Sequence, residues 1–383
     1  MDELKAIEEY PEVSFIDFYT LSQLNSEMLQ WFREKKKELT GEDVTLSSGD
    51  DRRLILLTCA YYLYQGYMFI DEGGKMGLLK YARGDYLDLL GMFKKTPRNP
   101  ARGATTTLRF SISEARSFAT GIPQGTRATA GNNLYFATSE YAEIPAGNTY
   151  VDVPAECTET GTVGNYLDAG EINRMVDSVP FISGVSNITM PENGQDVELD
   201  DSYRVRIYLA PAGYSNAGSE DGYKYFVLSF NSNITDILVT SPEECEVHIW
   251  YLLEDGRVPG EESLNALKDF LEEPSRKPIT DRVVVHAPEQ KAYDIELTYY
   301  INKSDSNRAA SIQEKVSEAV AEYNAWQTTK IGRDINPDEL ICRLKAAGVK
   351  RVEITSPTFT VLSDTEVPKA GEMEINYGGL END

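Results

Sequence analysis

The hydrophobic pattern of this 383-residue chain changes period near residue 101, and that change limits the fold more than any other feature. Before it, apolar residues recur at three- and four-residue steps. Leu21, Leu24, Met28, Leu29, Trp31 and Phe32 follow this spacing, and a basic run at 35–37 ends it. Asp50 and Asp51 precede residues 54–69, a helix candidate that is apolar nearly all round and so must be covered on most sides. A second chain or the chain's own core would cover it equally well. Glu72-Gly73-Gly74-Lys75 reads as a linker, and residues 85–91 as a last helical turn closed by a left-handed Gly91. Pro97 and Pro100 then interrupt the chain. Beyond residue 101, Thr105, Thr107, Arg109 and Ser111 alternate with Thr106, Leu108, Phe110 and Ile112. Gly-rich turns at 121–126, 131–133, 145–147 and 161–165 punctuate short strands such as 134–138. This predicts an all-β barrel or sandwich ending near Pro191.

The pattern then mixes periods. Residues 196–209 and 219–230 read as helices, the first with Glu198, Asp200 and Asp201 early and Arg204 and Arg206 late, as the helix dipole favours. Residues 234–239 and 246–253 read as strands and 259–271 as a helix, with Pro274 and Pro278 marking a boundary. Strands at 282–286 and 293–301 follow, then an amphipathic helix at 309–326. A second helix opens at Asn336-Pro337 and ends at Gly348, and a last strand covers 349–354. The expected fold class is α+β and multidomain: a helical N-terminal region over 1–100, a β-rich barrel or sandwich domain over 101–191, and two smaller α+β domains over 192–278 and 279–363. The acidic, Gly-rich segment 364–383 is expected to be a tail that is mobile or ordered only by a partner.

Composition removes several function classes. The chain carries 37 basic and 62 acidic residues, a net charge of −25, which repels phosphate backbones and anionic membranes and favours basic partner surfaces. No nucleic acid and no membrane is expected among its partners. The N-terminus, Met1-Asp2-Glu3-Leu4-Lys5, lacks the basic start and apolar run of a signal peptide, so synthesis in the cytosol is expected. The most apolar stretch, 54–70, is interrupted by Gln65, Gly66 and four tyrosines. Cys59, Cys157, Cys245 and Cys342 form no C-x-x-C pair, which argues against zinc and for buried free thiols.

The chemistry of the side chains points away from catalysis. The two histidines, His248 and His286, each sit in a predicted strand among apolar residues, without the convergent partners of a triad or metal site. Glu198, Asp200 and Asp201 are the densest carboxylate cluster. Their place at an exposed helix start is a sufficient reason for them, although carboxylate counting alone leaves a glycosidase open. Gly161-Thr162-Val163-Gly164 lacks the Lys-Ser/Thr of a phosphate loop and reads as a turn. No residue is assigned a catalytic, cofactor-binding or metal-ligating role, and no cofactor is expected. A tail-associated wall hydrolase and a carbohydrate-binding adhesin built on the β unit remain the competing readings.

The ordered turn motifs resemble those of the baseplate J-like family, wedge proteins of contractile phage tails, phage-tail-like bacteriocins and related injection systems. The resemblance starts at Gly84-Asp85-Tyr86-Leu87-Asp88-Leu89-Leu90-Gly91 with Arg98 and Ala101. It continues through Ile122-Pro123-Gln124-Gly125-Thr126-Arg127, Leu134-Tyr135-Phe136-Ala137-Thr138, Gly161, Gly164, Asn165, Gly184-Val185 and Asn187. Gly194-Gln195-Asp196-Val197-Glu198-Leu199-Asp200-Asp201-Ser202-Tyr203-Arg204-Val205-Arg206-Ile207 is the most family-like segment, with Gln195 where the family often has glycine. Gly218-Ser219 with Tyr223, Lys277-Pro278-Ile279-Thr280-Asp281 and Gly348-Val349 complete a series running over residues 75–360. The resemblance implies a structural, non-enzymatic subunit that pairs with a second copy of itself and with a second wedge protein of the tail protein I type. Sheath-initiating and hub-side proteins would be further partners in a sixfold ring. Such a ring holds the sheath extended and rearranges on firing. The protein would be made in the bacterial host cytoplasm, built into the particle and released by lysis.

Overall fold

The computed structural model describes residues 2–131, 133–214 and 218–382. The chain divides into two compact units, Asp2–Pro97 and Arg98–Asp383. Asn132, in the turn expected at 131–133, lies outside the described residues.

The first unit is helical: α1 (Asp2–Glu8), α2 (Leu21–Thr40), α3 (Asp51–Lys75) and α4 (Asp85–Phe93). Helix α2 opens on a capping box in which the Thr20 hydroxyl accepts from the Gln23 N–H and the Gln23 side chain reaches back to Thr20. It closes on Gly41 at φ 72°. Asp50 caps α3 by accepting the Arg52 N–H. Two expectations fail here. Residues 72–75 are the last turn of α3 and not a linker. The half-buried Asp71–Lys75 pair at 2.6 Å and the Phe15 N–H donated to Asp71 at 2.8 Å hold that turn. The Phe15 ring packs so close over Gly74 that a Cβ there would lie 2.5 Å away. Gly91 does not end a helix either. It is buried inside α4, and the left-handed residue beyond the helix is Lys95.

The second unit begins with β1 (Gly103–Ser111), whose residues alternate inward and outward as its period predicts. Strands β2 (Thr120–Ile122), β3 (Arg127–Thr129), β4 (Tyr135–Thr138), β5 (Ala142–Ile144), β6 (Tyr150–Thr160), β7 (Arg174–Met175) and β8 (Gly184–Asn187) follow. Six of them form one sheet in the order β7-β3-β4-β6-β1-β8, and its two end strands lie near each other, so the sheet nearly closes into a barrel. Strands β2 and β5 pair separately. Leu108, Phe110, Phe136, Val153 and Ile172 fill the interior.

Next come α5 (Asp200–Leu209), α6 (Glu220–Phe230), β9 (Ile234–Thr240), β10 (Glu246–Leu253), α7 (Glu261–Leu271) and β11 (Arg282–His286). The three strands form a sheet in the order β11-β10-β9. The last part comprises β12 (Glu289–Asn302), α8 (Ala309–Thr328), α9 (Pro337–Ala346), β13 (Arg351–Ser356) and β14 (Glu366–Glu381). Strand β12 lies between β13 and β14, and Ile295, Leu297, Tyr299 and Ile301 pack under Val316, Val320 and Tyr323 of α8. The segment expected to be a loose tail is therefore an ordered strand. Strand β14 pairs in parallel with β12 from Glu289↔Glu366 to Asn302↔Glu381, and Arg351 binds Glu381 near its end. The architecture is N-terminal helices, a barrel and smaller α+β domains, the fold class expected from the sequence.

Candidate functional site

A dense buried polar structure in Arg98–Asp383 is the joint where the barrel passes into α5, α6 and β9. It is built on residues 192–206. The expected helix at 196–209 begins only at Asp200, because the preceding residues are spent on long-range bonds. Glu198 is one of them. Its Oε1 accepts Arg206 Nε at 2.9 Å, and its Oε2 accepts Arg206 Nη2 at 2.6 Å and the Asn99 N–H at 2.9 Å. The two side chains are 1% and 3% exposed, so Glu198 is not part of an exposed helix start, whereas Asp200 and Asp201 do lie in the first turn of α5, with Asp201 exposed. A bidentate, desolvated pair of this kind fixes geometry, and removing one partner strands a buried charge. Beside it, Arg98 donates to the Glu198 carbonyl at 2.7 Å and to Asp200 at 2.8 Å, and its guanidinium lies over the Tyr203 ring.

Gln195 is the joint's second anchor. Its backbone exchanges both hydrogen bonds with Arg102, its amide donates to the Pro100 carbonyl at 2.8 Å, and its side-chain oxygen accepts the Ser232 N–H at 3.0 Å. Gln195 thus ties the start of the barrel's first strand to the turn after α6. Gly194 threads between them. Its N–H donates to Asn165 Oδ1, and its carbonyl accepts from both Asn165 and Asn233.

Glu192 is the third anchor. Its carboxylate accepts the Gly260 N–H at the start of α7, a helix that has no side-chain cap of its own. Burial pushes this carboxyl above the usual glutamate range, and the nearby Glu262 charge adds to the shift. Ser263, fully buried, donates to Asn193 at 2.7 Å and meets the Tyr251 hydroxyl at 2.8 Å. Chemically this is bracing. The Glu198 oxygens are held by fixed donors.

The two histidines, read separately in the sequence, meet on neighbouring strands. His286 Nε2 and His248 Nδ1 are 2.9 Å apart, and Trp250 lies against His286 with ring centres 4.8 Å apart. Their contact follows from the parallel register of β10 and β11, which no local pattern reveals. Burial, then the neighbouring His248, lowers the His286 pKa. Gly161 to Gly164 form a turn and a short 3-10 segment at the end of β6. Of the four cysteines, only Cys157 is buried. Cys59, Cys245 and Cys342 are exposed, against the expectation of buried thiols. Among the described residues, no group of three or more His, Cys, Asp or Glu side chains is placed to hold a metal, and no helix is long and apolar enough to cross a membrane.

Asp2–Pro97 presents a different kind of site. Ile55, Tyr62 and Phe69 follow each other at seven-residue steps along α3 and are 63%, 70% and 76% exposed. Leu54, Tyr61, Met68, Leu63 and Ile70 widen the same stripe. A seven-residue apolar repeat is the seam of a helix that packs along another helix.

Three family models match the chain in series: the Baseplate J-like protein barrel domain over residues 107–194, the Baseplate J-like central domain over 215–287 and the Baseplate J-like protein C-terminal domain over 293–376. The chain belongs to the baseplate J family and is a structural protein of a tail baseplate. It is 31% identical over 221 residues to Baseplate protein J of Escherichia phage P2, a match covering 56% of this chain and 71% of that one. A solved chain from the cryo-EM structure of the anti-feeding prophage (AFP) baseplate, 6-fold symmetrised, aligns over 96% of this chain and 97% of its own. Its identity is 12% and its TM-score 0.38, a likeness too distant to build on.

Proposed function

We propose that this baseplate protein is a wedge subunit of a contractile tail or tail-like injection particle. In this reading two copies pair through their N-terminal helices and join a second wedge protein of the tail protein I type. The wedges then close into a ring around the hub that holds the sheath and rearranges when the tail contracts. The protein acts by assembly and not by catalysis. It is made in the bacterial cytoplasm and leaves with the particle on lysis.

The observation that carries this reading is the exposed heptad stripe of α3. Side chains such as Ile55, Tyr62 and Phe69 each forgo about 1.5–3 kcal/mol of burial while they face water, which association recovers. Capped and ordered over its full length, α3 offers that stripe as a preformed surface. Leu63, on the same stripe, is 52% exposed, so Leu63→Asp leaves the fold intact and charges the seam. Electron microscopy of particles carrying this variant is expected to show missing or incomplete baseplates. Particles indistinguishable from wild type would sink the pairing role.

A further inference from the structure

A cleft of about 560 Å³ opens at one end of the barrel, lined by the loop between β1 and β2 (residues 112–118) and by Phe181. Its polar centre is Arg116. The guanidinium carbon lies 3.6 Å from the ring centre of Phe181 and 4.4 Å from that of Phe118, and the two rings meet edge to face. Two aromatic contacts hold the guanidinium plane in place. Among the described residues its N–H donors have no carboxylate or carbonyl partner. Glu114, which lines the same cleft, makes no ion pair with it. Two other arginines of the barrel are spent differently: Arg109 binds Asp152 and Arg127 binds Asp177, each through two parallel bonds.

The backbone is bent to make this clamp. Phe181 sits at φ 71°, a conformation that costs a bulky side chain about 1–3 kcal/mol and that collects at ligand clamps. The loop is pinned from below by the Gly147 N–H, which donates to the Arg116 carbonyl at 2.8 Å. Both phenylalanines are nevertheless half exposed, so their burial does not account for the strain.

We propose that the Arg116 clamp is a carboxylate-binding site, filled in the assembled particle by an acidic side chain of a neighbouring polypeptide. A guanidinium fixed between two rings presents a rigid fork of donors that matches a carboxylate in two parallel hydrogen bonds. A protein occupant is favoured over an acidic sugar because Arg116 already covers one face of each ring. The identity of the occupant rests on the baseplate reading. The test below uses the isolated chain and so reads the clamp whether or not pairing through α3 holds.

The test is a titration of the full chain, labelled at arginine nitrogen, with a short Glu-containing peptide, its Gln counterpart and glucuronate. The expected result is a saturable shift of the Arg116 Nε–H signal with the Glu peptide, weakened by salt and absent with the Gln peptide. Arg116→Lys keeps the charge and loses the fork, and is expected to weaken binding by roughly tenfold; Arg116→Ala abolishes it. The circular dichroism spectra of both variants are expected to match that of the wild type. No shift with the Glu peptide, equal binding by Arg116→Ala, or glucuronate binding as well as the peptide would each overturn the proposal.

Discussion

The two units of this chain treat water in opposite ways. At its joint, Arg98–Asp383 puts polar groups inside and pairs them: Glu198 with Arg206, Gln195 with Pro100 and Ser232, Glu192 with the start of α7. Asp2–Pro97 leaves Ile55, Tyr62 and Phe69 outside, in water. A buried polar group is expensive unless every partner is in place, so the first arrangement specifies one geometry of barrel and following domain. An exposed apolar stripe specifies nothing until another surface meets it. In the proposed wedge, folding would complete one unit and association the other.

The contrast is broken most easily at Glu198. Glu198→Ala takes the carboxylate away from the buried Arg206 guanidinium, and about 3–5 kcal/mol of stability is expected to disappear in urea unfolding. Replacing both, as Glu198→Leu with Arg206→Met, is expected to cost much less, because no charge is stranded. Equal losses in the two variants would mean that the pair is not the anchor described. Gly194→Ala comes next. The added Cβ would lie 2.6 Å from the Gly161 carbonyl oxygen and 2.7 Å from Asn165 Oδ1, and about 1–3 kcal/mol is expected in thermal melting.

Glu192 gives a smaller, pH-dependent effect. Burial raises its pKa, so the folded chain keeps that proton at pH values where the unfolded chain has lost it. Its share of stability is therefore full below the ordinary glutamate pKa and declines as pH rises through the raised value. Glu192→Gln keeps an oxygen for the Gly260 N–H and removes the titration. The difference in melting temperature between variant and wild type is expected to move in the variant's favour from about pH 4 to about pH 8. A flat difference would show that Glu192 titrates as an exposed acid. The smallest effect belongs to the other unit: Ile55→Asp is expected to change the stability of the isolated, dilute chain by less than about 0.5 kcal/mol, since Ile55 is exposed there.

The contrast also explains what could be read in advance. Helix α8 and strand β1 follow from local periodicity, and the apolar run of α3 announces a surface needing cover. The joint does not. Glu198 looks like an ordinary acid of a helix start until Asn99, a position 99 residues earlier, and Arg206 close over it. Nothing local marks Gln195, whose partners Pro100 and Ser232 lie far along the chain on either side. Strand β14 is not legible locally because its glutamates and glycines resemble a tail. It is held by backbone pairing to β12, whose first paired residue, Glu289, precedes Glu366 by a whole domain. Residues 72–75 were misread because two adjacent glycines suggest a break, whereas Gly74 makes room for the Phe15 ring.

The central claim is that α3 is a seam between chains, and sedimentation of the full chain tests it directly. Wild type is expected to show a reversible, concentration-dependent shift from monomer to dimer, and the double variant Ile55→Asp with Phe69→Asp to remain monomeric with an unchanged melting curve. A wild-type chain that stays monomeric at every concentration, or a double variant that still dimerises, would contradict it.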